Sequence, residues 1–87
     1  MTGCHEGLML QKVLAIVMMQ FDKCLKEPFP HELITENLKF SGTDLDSLDF
    51  VEMMQAVESE FWAVPDERWT KIDTPLDIVR ELEAARP

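Results

Sequence analysis

The 87-residue sequence has few basic residues: eight Lys and Arg stand against seventeen Asp and Glu, which gives a formal net charge of −9. A chain this acidic is repelled by phosphate backbones and anionic lipid surfaces, so nucleic-acid and membrane-surface binding are disfavoured. Basic protein surfaces and cations are the partners that the charge favours. The length predicts one small domain over residues 1–87, and 46% hydrophobic residues is ordinary globular composition.

Cysteines and long apolar runs are scarce as well. Cys4 and Cys24 cannot make the disulfide framework of a small secreted domain, so free thiols in a reducing compartment are expected. Cys4 and His5 are adjacent but have no partners at zinc-site spacing, and no metal site is expected. The longest apolar run, 13–19, is too short to span a bilayer. The first seven residues contain no Lys or Arg, so no targeting peptide is visible; either there was none or it has been removed.

Apolar spacing and proline placement predict the first half of the fold. Apolar residues at helical spacing indicate a first helix from Leu8 to Leu25, which Pro28 and Pro30 then end. The buried stripe of this helix is expected to comprise Leu10, Val13, Leu14, Val17 and Phe21. Residues 26–46 read as a long loop with one turn near 31–34. The loop residues expected to pack down are Leu33, Ile34, Leu38 and Phe40.

Three further helices complete the prediction. The second covers about 47–61, the short third covers 66–69 with Asp66 as its N-cap, and the fourth begins at Thr74. Thr74 can cap the fourth helix, with Pro75 at its first position and Asp77 completing a capping box. Its buried stripe is expected to comprise Leu76, Val79 and Leu82. Since no stretch alternates with period two, the fold class is an all-α bundle of three main helices and one short helix.

The second helix has two different faces. Its core face is expected to hold Phe50, Met53, Met54, Val57 and Phe61, and its opposite face to hold Leu48, Val51, Glu52, Gln55, Glu58 and Ser59. Two apolar residues on the acidic face are either isolated exposed side chains or a small docking patch with an electrostatic rim. The helix macrodipole accounts for Asp46 and Asp49 at the start of the helix but not for Glu58 and Glu60 near its end.

Ser47 stands at the predicted start of this acidic helix. It suits an N-cap, and a serine at a helix N-terminus is also well placed to carry a phosphate. A nucleophilic serine of a hydrolase has little support, because the chain has no Gly-x-Ser-x-Gly motif. A calcium loop starting at Asp44 fails at its fifth, sixth and twelfth positions, which hold Leu48, Asp49 and Gln55.

Three segments in order resemble the acyl carrier protein family. The string Asp46-Ser47-Leu48-Asp49 resembles its Asp-Ser-Leu signature, and the helix ending Glu58-Ser59-Glu60-Phe61 is similar to its acidic recognition helix. The segment Val64-Pro65-Asp66-Glu67, followed by Lys71-Ile72, is similar to the stretch before the family's last helix. The departures are a changed turn at 42–45, Gln55 at a usually apolar position, and the unusual Trp62 and Trp69.

The resemblance implies an acyl-carrier-type four-helix bundle that is not an enzyme. It implies a 4′-phosphopantetheine arm on Ser47, with Asp46 and Leu48 as further cofactor-binding residues. The arm would be attached by a phosphopantetheinyl transferase and would carry acyl groups as thioesters for fatty-acid and lipoate synthesis. The basic surfaces of the transferase and of acyl-processing enzymes would then dock on the second helix. The partner-binding residues expected there are Asp49, Val51, Glu52, Gln55 and Glu58.

Within the family, Phe21-Asp22-Lys23 resembles the end of the first helix in mitochondrial members. That resemblance implies a mitochondrial matrix protein, with the cytoplasm or plastid as alternatives, that is also an acylated accessory subunit of respiratory NADH dehydrogenase in electron transport. Its partners there would be subunits with a Leu-Tyr-Arg motif. The alternatives are a purely structural acylated subunit that binds such proteins, and a stand-alone peptidyl carrier.

Overall fold

The computed structural model describes residues 3–25, 27 and 29–87, with side chains described from residue 7 onward. The expectations for the side chains of Cys4 and His5 therefore lie outside the described part. The described residues form four α-helices: α1 (Gly3–Cys24), α2 (Ser47–Glu60), α3 (Asp66–Trp69) and α4 (Pro75–Ala84). Within the described residues there is no strand, which confirms the all-α prediction of three main helices and one short one. No described helix combines the length and the apolar character needed to cross a bilayer.

Helix α1 is longer than the apolar spacing indicated, because it already begins at Gly3. Its buried residues are Met9, Val13, Val17, Gln20 and Phe21, while Leu10 and Leu14 are only partly buried. The buried residues recur at intervals of three and four, so one face of α1 enters the core. This face packs against both α2 and α4, and α1 is therefore the central helix of the bundle.

The described part of the long loop contains two 3₁₀ turns, His31–Leu33 and Phe40–Gly42, where the sequence predicted one. Ile34 and Phe40 are buried and Leu38 is partly buried, as expected. The expectation that Leu33 packs inward is wrong, since its side chain is 56% exposed. Neighbouring side chains of a 3₁₀ turn point about 120° apart, so Leu33 and Ile34 cannot share the core-facing direction.

Two backbone hydrogen bonds attach this loop to the region where α4 begins. The Phe40 N–H donates to the Asp73 carbonyl over 2.7 Å, and the Leu76 N–H donates to the Glu36 carbonyl over 3.0 Å. Backbone pairing of this kind satisfies polar groups that a packed loop would otherwise bury without partners. The segment that leads to α2 is thus fixed against the start of the last helix.

Helix α4 begins as the sequence predicted. Thr74 is the N-cap, its hydroxyl accepts from the Asp77 N–H over 3.1 Å, and the Asp77 carboxylate accepts from the Thr74 N–H over 3.2 Å. The buried residues of α4 are Pro75, Ile78, Val79 and Leu82; Ile78 was missed and Leu76 is only partly buried.

The short helix α3 corrects one prediction. Its N-cap is Pro65, and Asp66 is its first helical residue instead of its cap. Arg68 of α3 forms an ion pair of 3.1 Å with Glu81 of α4. In the connection before α3, the indole N–H of Trp62 donates to the Leu82 carbonyl over 2.8 Å. These contacts hold α3 and its preceding segment against α4.

Candidate functional site

Ser47 is the first residue of α2, and Asp46 is the N-cap. The Asp46 carboxylate accepts from the Asp49 N–H over 2.8 Å, and the Asp49 carboxylate accepts from the Asp46 N–H over 3.4 Å. The prediction of Ser47 as the N-cap is therefore wrong. An ionised carboxylate with a matching acid three residues later occupies that role, and it suits the positive end of the helix dipole. Ser47 is left exposed at a helix N-terminus whose capping does not involve its hydroxyl.

The changed turn before Ser47 is ordered by side-chain hydrogen bonds. The Thr43 hydroxyl donates to the Phe40 carbonyl over 2.7 Å and accepts from the Leu45 N–H over 3.3 Å. The Asp73 carboxylate accepts from both the N–H and the hydroxyl of Ser41, over 2.9 and 3.0 Å. The turn that leads into α2, Gly42-Thr43-Asp44-Leu45, is thus held by hydrogen bonds of the Thr43 hydroxyl.

A solvent-open groove of about 470 Å³ runs beside Ser47. Its apolar lining comprises Phe40, Leu45, Phe50, Val51, Trp69 and Ile72. Phe50 was expected on the core face and Val51 on the opposite face; both are half-buried, and both line the groove. Phe40 and Trp69 were not predicted as groove residues, because their approach to Ser47 depends on how the loop and α3 pack. No local pattern signals that approach.

The predicted partner face of α2 is only partly free. Leu48 is 67% exposed, and Glu52 and Gln55 are exposed too. Asp49 is half-buried, and its carboxylate takes part in the capping box. The placement of Glu58 on the exposed face is wrong: it is half-buried, and its carboxylate accepts from the backbone N–H of Val64 over 2.8 Å.

The acids near the end of α2, which the helix dipole disfavours, therefore have structural partners. Glu58 accepts a hydrogen bond from the connection to α3, and Glu60 lies 3.7 Å from the ammonium group of Lys12 on α1. Both contacts join α2 to another part of the chain. Their gain can offset the unfavourable position near the negative end of the dipole.

Cys24, at the end of α1, also lies near the start of α2 but does not line the groove. Its sulfur and the carboxylate oxygens of Asp49 and Glu52 lie within 4.8 Å of one another. Gln20 is only 7% exposed, and its amide donates to Cys24 over 2.9 Å and to Glu52 over 3.3 Å. Burial raises the pKa of the Cys24 thiol, and the hydrogen bond and charge of Asp49, then the charge of Glu52, raise it further. The thiol is therefore poorly nucleophilic at neutral pH.

Comparison with known proteins finds relatives that are acyl carrier proteins. The chain is 36% identical to the acyl carrier protein of Helicobacter hepaticus over 75 residues, which cover 85% of this chain and 92% of the relative. It is also 36% identical to that of Thermosynechococcus vestitus over 76 residues, covering 86% of this chain and 88% of the relative. The identity with the acyl carrier protein of Rickettsia massiliae is 33% over 75 residues, covering 84% and 80%.

No family model matches the chain. The three relatives nevertheless share a third or more of their residues with it over most of their length and over most of its own. The exposed serine at the start of an acidic helix, in an all-helical bundle, agrees with this relationship. On these grounds, the chain belongs to the acyl carrier protein family.

Proposed function

We propose that the protein carries acyl groups as thioesters on a 4′-phosphopantetheine arm attached to the hydroxyl oxygen of Ser47. The observation that carries this proposal is the position of Ser47, exposed at the first residue of α2 and beside an apolar groove. Acyl carrier proteins are carriers and not enzymes, and the chain has this carrier role without catalysis of its own.

The residues around Ser47 fit such an arm. A phosphate on the Ser47 oxygen would lie at a helix N-terminus, where the helix dipole and the free N–H groups favour an anion. The carboxylates of Asp46 and Asp49 are engaged with backbone N–H groups in the capping box, which reduces their repulsion of that phosphate. When attached, the arm supplies a terminal thiol that holds acyl groups as thioesters.

Partner enzymes would dock on the part of α2 that is free. Leu48 gives an exposed apolar contact next to Ser47, and Glu52 and Gln55 give a polar and acidic rim. A basic surface on a phosphopantetheinyl transferase or an acyl-processing enzyme is complementary to this face and to the net charge of −9. Glu58 is omitted from the face, since its carboxylate is engaged with Val64.

Intact-mass measurement tests the attachment site. The protein is incubated with coenzyme A, Mg²⁺ and a promiscuous phosphopantetheinyl transferase, and we expect the mass of one phosphopantetheine group to be added. Ser47→Ala should remain unmodified, whereas the control Ser59→Ala, which changes an exposed serine of the same helix, should be modified normally. Modification of the Ser47→Ala protein, or none of the parent, would overturn the proposal.

We further propose that the protein lies in the mitochondrial matrix and also serves as an accessory subunit of respiratory NADH dehydrogenase, where it binds Leu-Tyr-Arg-motif subunits. It is supported by the Phe21-Asp22-Lys23 resemblance and by exposed Leu48, an apolar contact that a stable partner could cover. Phe21 and Asp22 also have roles in the fold, as Phe21 is buried and Asp22 lies 2.9 Å from His31. Fractionation of the source cells and a structure of the native assembly test this extension. A protein outside mitochondria, without a partner over α2, would contradict it.

A further inference from the structure

We propose that the outward face of α1 is a second docking surface of this protein, and that its occupant is an amphipathic helix of a partner protein with acidic residues along one edge. The surface, called the α1 stripe below, consists of exposed residues on one face of the helix: Leu8, Lys12, Ala15, Met19 and Lys23. Docking on this stripe goes beyond the carrier role and does not depend on an arm attached to Ser47.

The apolar part of the α1 stripe is continuous along the helix. Leu8 is 54% exposed, Met19 is 72% exposed, and the exposed Ala15 lies between them. At 3.6 residues per turn, these three side chains fall within an arc of about 40°. In the part of the chain that the structure describes, four large apolar side chains are exposed, and two of them thus share one helix face. A shared face distinguishes them from the scattered apolar residues of an ordinary surface.

Lys12 and Lys23 border the apolar part on one side, within a further arc of about 40°. They are two of only eight basic residues in a chain with seventeen acidic ones. Two acids lie nearby: Asp22 on the opposite border, 2.9 Å from His31, and Glu60, 3.7 Å from Lys12. An exposed ion pair such as Lys12–Glu60 is weak, so the ammonium group of Lys12 can also meet a carboxylate of a partner.

A groove of about 370 Å³ continues the stripe at its N-terminal end. Its lining includes Leu8, Met9, Lys12, Phe61, Trp62 and Arg86. The Arg86 guanidinium lies 5.4 Å from the centre of the Trp62 ring and donates to the Met9 sulfur over 4.0 Å. Neither contact neutralises its charge, because an aromatic ring and a thioether are uncharged. The groove thus combines an apolar floor with two cations.

The length of the stripe favours a helix as its occupant. Leu8 and Lys23 are about 22 Å apart along α1 at 1.5 Å per residue, which matches about four turns of a partner helix. A helix with apolar residues at intervals of three and four would cover the apolar part, while acids along one edge would meet the lysines. The small Ala15 in the middle lets the two helix axes approach closely.

Local charge, more than net charge, selects the partner. The net charge of −9 repels an acidic helix, but screening limits this repulsion to about 8 Å at physiological ionic strength. The groups that touch the partner are therefore decisive, and on this face they are Lys12, Lys23 and Arg86. A second copy of the chain would bring the same lysines and the same excess of acids, and an anionic membrane would meet an acidic molecule with few basic residues. Both are less complementary to the stripe than an acidic helix.

The stripe and the face of α2 around Ser47 lie on different sides of the molecule. Gln20 of α1 donates to Glu52 of α2 over 3.3 Å, and the apolar part of the stripe lies about 120° around α1 from Gln20. The groove adjoins Phe61, about 21 Å along α2 from Ser47. A partner can therefore hold the protein through α1 while Ser47 stays accessible.

The test uses the isotope-labelled full chain and a synthetic helical peptide of about 16 residues, with leucine at intervals of three and four and glutamate along one neighbouring edge. A counterpart peptide has lysine in place of each glutamate. We expect the acidic peptide to shift the amide signals of the α1 stripe and the indole signal of Trp62, and the lysine peptide to leave them unchanged. No binding at about 1 mM acidic peptide, shifts confined to the start of α2, or equal binding of both peptides to the stripe would overturn the proposal.

Charge reversal tests the lysines. The double variant Lys12→Glu/Lys23→Glu should bind the acidic peptide roughly tenfold more weakly. Lys39→Glu/Lys71→Glu makes the same change of net charge at two exposed lysines elsewhere, and its affinity should fall less than about threefold. Equal losses in the two variants would show that only net charge matters and would overturn the proposal. Circular dichroism checks the fold, and Lys23→Glu alone replaces the first variant if that variant does not fold.

Polar substitution tests the apolar part. Met19→Gln should weaken peptide binding severalfold, whereas Leu33→Gln, at an exposed apolar residue outside the stripe, should not. Sedimentation velocity of the parent and its binding to phosphatidylglycerol vesicles examine the other two occupants. A dimer, or vesicle binding, that Lys12→Glu/Lys23→Glu abolishes would assign the stripe to a second copy or to a membrane and would overturn the partner helix.

Discussion

At the scale of single residues, Asp46 and Asp49 form the capping box of α2, and Asp46 fills the N-cap role for which serine is often used. Their reciprocal hydrogen bonds cap α2, so the Ser47 hydroxyl is not required for the start of the helix. Modification or substitution of the Ser47 hydroxyl should therefore leave the cap of α2 intact. The separation of the two roles also makes its substitution a clean test of function.

We expect Asp46→Ala to lower the free energy of unfolding by about 1 kcal/mol, the usual loss for an N-cap, and Ser47→Ala to change it by less than about 0.5 kcal/mol. Urea unfolding of the unmodified protein measures both. Asp44→Ala is the matched control, because it removes an exposed acid from the same segment. A larger loss for Ser47→Ala than for Asp46→Ala would mean that the hydroxyl has a capping role after all.

The Cys24 thiol gives a prediction about pH. Because burial and the neighbouring Asp49 and Glu52 raise its pKa, its thiolate fraction at neutral pH is lower than that of an ordinary cysteine. In a Cys4→Ser background, the pH profile of alkylation by iodoacetamide should lie at higher pH than that of a free cysteine peptide. Glu52→Gln removes one negative charge and should move the profile toward lower pH. An unchanged profile would show that Glu52 has no influence on the thiol.

At the scale of the element, the acids of α2 differ in burial and in what they contact. Glu58 is half-buried and accepts from the Val64 N–H, whereas Glu52 and Glu60 are exposed, with Glu52 accepting from the Gln20 amide over 3.3 Å and Glu60 lying 3.7 Å from Lys12. The helix is therefore not uniformly a recognition surface. Its first half presents Ser47 and the proposed docking residues, and Glu58 in its second half holds the connection before α3.

The contrast between Glu52 and Glu58 is testable by charge reversal. Glu52→Lys should lower kcat/KM of the phosphopantetheinyl transferase roughly fivefold and weaken its salt dependence, since one exposed charge pair is worth about 1 kcal/mol or less. Circular dichroism should stay native, because the Glu52 side chain is exposed and the Gln20 amide, which donates to it over 3.3 Å, keeps its hydrogen bond to Cys24.

Glu58→Lys should instead lower the free energy of unfolding by about 1.5 to 3 kcal/mol, because a charged acceptor of a partly buried N–H is lost. Glu58→Gln, which keeps an acceptor oxygen, should lose less. Equal stability of the Glu52→Lys and Glu58→Lys proteins in urea would contradict this division of the helix.

At the scale of the whole molecule, the charge of −9 opposes the compact state, since folding brings the acids closer together. Raising sodium chloride from about 20 mM to about 500 mM should therefore raise the urea midpoint, because it screens this repulsion. Ion pairs such as Arg68–Glu81 weaken at the same time, but basic residues are too few for that loss to dominate. A midpoint that falls with salt would show that attraction between charges outweighs repulsion.

The sequence specified the helices because their signals are local. The Thr74–Asp77 capping box and the spacing of Val13, Val17 and Phe21 require only nearby residues, and these predictions are confirmed. The sequence could not specify that the Glu58 carboxylate meets Val64, since that contact depends on how the chain turns after α2.

The same distinction applies to the site. The Asp46-Ser47-Leu48 string locates the start of the helix, but the groove beside Ser47 combines residues from the loop, α2 and α3. Trp69 lies far from Ser47 in sequence and joins the groove only when α3 is packed. Loop packing and the direction of a 3₁₀ turn, as at Leu33, have the same non-local origin.

The two backbone hydrogen bonds between the long loop and the start of α4 have a consequence for the order of folding. The bonds from Phe40 to Asp73 and from Leu76 to Glu36 join segments that are distant along the chain, so neither can form until the C-terminal segment has docked. Helices α1 and α2 can form from local signals before that event, but the turn that delivers the chain to Ser47 acquires its final geometry afterwards. A chain that still lacks α4 would thus hold Ser47, the proposed attachment site, beside a turn whose hydrogen bonds to the C-terminal segment have not yet formed.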